Sequence, residues 1–92
     1  MVSAIILLKI EREHINDVAE AMTNFDEVSE VYSVGGRVDL VAIARVEDND
    51  QLATLVTNKM IDLKGILDTE TMVAFRAYSQ HDLERMFSIG ME

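Results

Sequence analysis

The apolar positions of this 92-residue chain change their period as the chain runs. Ser3 to Ile10 is aliphatic and β-branched, which suits a strand. In the next stretch, REHINDVAEAM, the residues Ile15, Val18, Ala19 and Met22 fall at i, i+3, i+4 and i+7. That spacing is one face of an amphipathic helix. A second strand is expected from Val28 to Val34 and a third from Val38 to Val46. In EDNDQLATLVTNKM, Asp48 or Asn49 can cap a second helix whose apolar stripe is Leu52, Leu55, Val56 and Met60. Gly65 closes it as a C-cap or turn glycine. A fourth strand is expected from about Glu70 to Tyr78, and Leu83, Met86 and Phe87 suggest a short amphipathic helix near the end.

The order is strand, helix, strand, strand, helix, strand. With right-handed crossovers it folds most simply as an α+β, ferredoxin-like βαββαβ sandwich: a four-stranded antiparallel sheet with two helices on one face. One domain of residues 1–79 is expected, followed by a tail of residues 80–92. Strands one and three are central in that topology, and they carry the longest apolar runs. On the third, Leu40, Ala42 and Ala44 point one way while Val41 and Ile43 point the other. Two helices cover only one face, so the second face calls for another subunit. A homodimer at least is expected.

Composition narrows the function. Seventeen acids against eight Lys and Arg give a net charge of -9. Such a surface repels phosphate, so direct nucleic-acid binding is not expected. There is no cysteine and hence no thiol nucleophile or zinc–thiolate site. The first apolar run is too short for a membrane span or signal peptide, and a soluble, cytoplasmic protein is expected. No nucleophile–base constellation can be assembled, so no catalytic residue and no cofactor are assigned. Glu11 and His14 have the spacing of a metal pair, but with no third ligand in view they read as a solvated helix end, and no metal site is assigned.

The stretch YSVGGRVDLVAIARVE, Tyr32 to Glu47, poses the sharpest question. Adjacent glycines between apolar segments signal a hairpin, since glycine reaches positive φ without steric cost. A turn explains Gly35 and Gly36. It leaves Asp39, at the mouth of the run Leu40 to Ala44, without a reason.

The element order, with VYSVGGRVDLVAIARVED and KMIDLKGILDTETMVAF, resembles the effector-binding domain of the Lrp/AsnC transcriptional regulators, from Ala4 to Tyr78. In that family the hairpin reads Thr-Gly-Asp-Tyr-Asp, and a later motif reads Gly-Val followed by Thr-x-Thr. Gly36 and Asp39 match the hairpin's glycine and last aspartate; Gly65, Thr69 and Thr71 match the second motif. Arg37 stands where the family has its first acid and Val38 where it has an aromatic. Family members carry an N-terminal helix-turn-helix, so the chain looks like the stand-alone module. The resemblance implies dimers paired sheet to sheet, further assembly into rings, and amino-acid effectors bound between dimers near the hairpin and the Thr-x-Thr strand.

With the resemblance in hand, six residues form the expected ligand site: Gly35, Gly36, Arg37, Asp39, Thr69 and Thr71. Amides around Gly35, Gly36 and Arg37 can cradle a carboxylate, and Asp39 can accept from an ammonium. Thr69 and Thr71, two apart on a strand, project to one face. Arg37 can hold a carboxylate in bidentate fashion. The bland readings are a tight turn, a solvated strand end and ordinary β propensity. The expected function is an amino-acid-sensing oligomerisation module in transcriptional or metabolic regulation, acting with a helix-turn-helix paralogue or another protein. The alternatives are a small dimeric enzyme of monooxygenase or isomerase type, for which Tyr32 and His14 are the candidates, and a ligand-free scaffold.

Overall fold

The computed structural model describes residues 1–78. Its elements are β1 (Val2–Ile10), α1 (Ile15–Thr23), β2 (Val28–Ser33), β3 (Leu40–Val46), α2 (Asn49–Thr54) and β4 (Ile66–Ala74). All pairings are antiparallel, in the order β2-β3-β1-β4. This is the expected ferredoxin-like sandwich with β1 and β3 in the middle. The expected helix near Leu83, Met86 and Phe87, and the tail of residues 80–92, lie outside the described residues.

Alternation along the central strands fixes the core. Ala4, Ile6, Leu8 and Ile10 of β1 and Leu40, Ala42, Ala44 and Val46 of β3 are buried. Against them pack Val18 and Met22 of α1 and Leu52 of α2, with Leu55 and Met60 beyond it. Asp48 is the residue that caps α2, its Oδ1 accepting from the Gln51 amide at 2.8 Å. Gln51 Oε1 in turn accepts from the Glu47 amide at 2.7 Å, fixing the entry of the helix. α2 then widens into a π turn, Leu55–Lys59, closed by the Met60 amide donating to the Leu55 carbonyl. That widening sets Leu55 and Met60, five residues apart, on the same buried side. A 3-10 turn, Met60–Asp62, ends the helical region.

Two contacts tie loops to this frame. The buried Glu27 carboxylate accepts from Lys59 Nζ at 2.6 Å, joining the start of β2 to the π turn. That ammonium holds the Glu27 carboxyl below the ordinary value of 4.5. Gly65 is a turn glycine at φ +96°, and a Cβ there would lie 2.4 Å from His14 Cβ. Its carbonyl accepts from the Glu11 amide at 2.8 Å, so the turn before β4 is clasped to the turn before α1.

Several strand boundaries differ from expectation. β4 runs from Ile66 to Ala74, not from Glu70 to Tyr78. Its register against β1 pairs Ser3 with Ala74 and Ile10 with Ile66. β1 therefore has almost no residue left to pair with anything after Ala74, and the Gly65 turn delivers the chain to the sheet four residues early. β2 ends at Ser33 and β3 begins at Leu40. The glycines thus sit in a loop of residues 34–39, longer than the residues 35–37 between the expected strands, closed by the Val34 amide donating to the Asp39 carbonyl at 3.1 Å.

Among the described residues no helix covers the opposite face of the sheet. Ile5, Leu7, Val41 and Ile43 lie there half-buried, with Tyr32 and Met72 exposed beside them.

Candidate functional site

Asp39 sits where β3 meets the end of β1. Its amide donates to the Leu8 carbonyl at 2.9 Å, and its Oδ2 accepts from the Ile10 amide at 2.8 Å. The side chain thereby adds one more rung to the β1–β3 ladder, next to the point where the β1–β4 register slips between Lys9 and Ile10. One carboxylate oxygen that was expected to receive an ammonium is committed to the backbone. The opening question about Asp39 has a structural answer: it fixes the hairpin loop to the end of β1.

Beside this junction lies a groove of about 190 Å³. Arg37 and Val38 come to it from the loop, Leu7 and Lys9 from β1, and Asp68, Thr69 and Glu70 from β4. Arg37 and Thr69, distant in sequence, both border it. The remaining expected residues do not line it. Gly35 and Gly36 are in the loop, exposed, with nothing within 4 Å of a Cβ on either; Gly36, at φ +137°, is the position that needs glycine. Thr71 and Thr69 pair with the buried Ile6 and Leu8, so both project to the helix face, and Thr69 borders the groove only from the edge of β4. Lys9, Asp68 and Glu70 were not expected. Their signal is in the register: Lys9 stands opposite Asp68 and Leu7 opposite Glu70, which only the pairing of β1 with β4 reveals.

A second groove, of about 380 Å³, lies on the helix side of β4 and shares Thr69. Its walls are mainly apolar, with Val56, Met60, Ile61 and Ile66 among them.

The residues of an enzymatic reading do not converge. The Tyr32 hydroxyl donates to the Glu30 carboxylate, which pushes its pKa up. His14 packs on Gly65 and lines a cleft with Val18 and Leu63, in which Tyr32 has no part. The Glu11–His14 pair does gain a third neighbour: the 3-10 turn Arg12–His14 brings Glu13 in, with one ligand atom of each within 4.8 Å of the others. Both acids are exposed, and surface carboxylates group this way without an ion.

The family model described as Lrp/AsnC ligand binding domain matches residues 3–83. Among curated proteins, the HTH-type transcriptional regulator FL11 of Pyrococcus furiosus is 25% identical over 77 residues, covering 84% of this chain and 50% of the regulator. The chain thus spans about half the length of that relative. Among solved structures, TTHA0845 from Thermus thermophilus is 39% identical with a TM-score of 0.82, over 87% of this chain and 100% of that one. The transcriptional regulator NMB0573 of Neisseria meningitidis, solved as its L-Met complex, shares the fold at a TM-score of 0.78 and 17% identity, over 86% of this chain and 53% of that one.

Proposed function

Since the chain belongs to the Lrp/AsnC ligand binding domain family, we propose that it is an amino-acid-sensing oligomerisation module of transcriptional or metabolic regulation. Its copies pair through the open sheet face, where Ile5, Leu7, Val41 and Ile43 stay half-buried in the single chain. The effector sits at the groove of Arg37 and Thr69, and Asp39 positions the loop that presents Arg37. The observation that carries this reading is that Arg37 and the β4 edge at Thr69 border one groove, beside an apolar face that no helix covers among the described residues. A regulator of the same fold has been solved with L-Met, which supports an amino acid as the effector class.

Output to DNA comes through co-assembly with a helix-turn-helix relative. Among the described residues α1 and α2 are separated by β2 and β3, so no two helices adjoin as a reading pair. The net charge of -9 opposes phosphate contact.

The test is a thermal-shift screen of the twenty amino acids with oligomeric state followed by light scattering. A ligand bound only by the folded protein raises its stability. The expected result is a dimer or larger species, stabilised by at least one amino acid at millimolar concentration. A folded monomer indifferent to all twenty overturns the proposal. The purified 92-residue chain should also leave a labelled duplex free in anisotropy titration at physiological salt.

A further inference from the structure

The charges around the groove are arranged in an unusual way. Lys9 and Arg37 supply two cations, and Asp68 and Glu70 supply two acids. Lys9 faces Asp68 directly across the β1–β4 ladder, a position from which opposite charges ordinarily pair. They do not pair. Among the described residues the ion pairs are His14 with Glu13 and Lys59 with Glu27, both elsewhere. One oxygen of Asp68 accepts from the Thr69 amide at 2.9 Å. Its other oxygen, the Glu70 carboxylate and both cationic groups are left to face whatever enters.

We propose, building on the effector reading above, that this groove selects an α-amino acid with a polar, uncharged side chain, a carboxamide above all. One of Lys9 and Arg37 receives the carboxylate, and one of Asp68 and Glu70 receives the ammonium. Three observations lead there. The groove is small: about 190 Å³ lies below the roughly 300–1,000 Å³ typical of sites for larger ligands. Its four charges sum to zero, and a zwitterion with a neutral side chain keeps that balance, whereas a charged side chain adds net charge to the groove. Two charged ends also need only two of the four groups. The remaining cation and acid offer one donor and one acceptor, which a carboxamide answers with its oxygen and its NH₂. An aliphatic side chain finds only Leu7 and Val38 as apolar wall and displaces water from two charges without replacing its hydrogen bonds. The apolar groove lies on the other side of β4.

The experiment is calorimetric titration of the full chain with L-asparagine, L-glutamine, L-leucine, L-methionine, L-glutamate and L-lysine, in parallel with the twenty-amino-acid screen. Asparagine or glutamine should bind about tenfold more tightly than leucine or methionine. Lys9→Gln and Glu70→Gln should each weaken that binding by about five- to tenfold, the range between an exposed ion pair and a well-made charged hydrogen bond. Lys64→Gln, in a different cleft, should leave it unchanged. Tighter binding of leucine or methionine, insensitive to Lys9→Gln and Glu70→Gln, overturns the selectivity and leaves the effector reading standing. Silence from all twenty amino acids removes both. If the same two substitutions weaken self-association without any amino acid present, the four charges belong to a contact between copies, and the proposal fails.

Discussion

Ile5 and Ile6 are neighbours in one strand and have opposite fates. Ile6 is completely buried beneath the helices, while Ile5 stays half-exposed on the open face. The same contrast separates Ala42 from Val41 and Ala44 from Ile43. The covered face is finished within one chain: aliphatic strands below, Val18, Met22, Leu52 and Leu55 above. The open face is equally apolar along its centre, but its border is charged, with Lys9, Asp68 and Glu70 at one end. The first face makes a fold; the second makes a surface for association and recognition.

The largest effect should come from breaking the covered face. Ile6→Asp buries a carboxylate in the aliphatic core, at a cost of at least about 4 kcal/mol. In a domain of about 5–15 kcal/mol total stability, much of the population is then unfolded. Ile5→Asp, one residue away, should leave the circular-dichroism spectrum and monomer fold intact and abolish self-association in sedimentation. Two variants that behave alike would erase the distinction between the faces.

A smaller effect tests how the covered side is anchored. Lys59→Met strands the buried Glu27 carboxylate without its ammonium and should cost about 3 kcal/mol in urea denaturation. Glu27→Gln should cost less, because Lys59 is part-exposed and finds water. The pH dependence has a definite sign. Lys59 lowers the Glu27 pKa, so the pair contributes fully above 4.5 and is lost as pH falls through the lower folded value. The stability gap between the wild type and Lys59→Met should therefore narrow on acidification below that point. A gap that is constant with pH means the pair contributes nothing through ionisation.

The smallest effect is at the hairpin end. Asp39→Asn keeps an oxygen for the Ile10 amide and removes only the charge. We expect a loss of about 0.5–1 kcal/mol and amino-acid affinity within about twofold of the wild type. A fall of about tenfold or more with unchanged stability would make Asp39 a ligand contact after all.

Much of this was legible in the chain itself. The helical stripe of Ile15, Val18, Ala19 and Met22 and the alternation in Leu40 to Val46 follow from local periodicity; α1 stands where expected, and β3 ends where expected but starts two residues late. The span of β4 was not legible, because an edge strand tolerates Asp68, Thr69 and Glu70, and their polarity hid its first half. Its end depends on where β1 runs out, a fact about another strand. The groove was half legible for the same reason. Arg37 and Thr69 stand out through the motifs of a resembling family, whereas Lys9 and Glu70 acquire meaning only once register sets Lys9 opposite Asp68 and Leu7 opposite Glu70. Asp39 stands out in the sequence because a turn gives it no role, but its partner at Ile10 is a backbone amide that no side-chain pattern announces.

The bond from the Thr69 amide to Asp68 has a further consequence for how copies of the protein meet. Ile10 and Leu8 turn their amide and carbonyl toward Asp39, so Leu7 and Lys9 bond β4 and Thr69 directs its N–H off the sheet's rim. There the Asp68 carboxylate already occupies it. A strand arriving alongside to lengthen the sheet meets an acid and a satisfied donor at mid-strand. Growth sideways into an endless ribbon is discouraged at that rung, while stacking flat against flat is left open, which favours particles of fixed size over fibres.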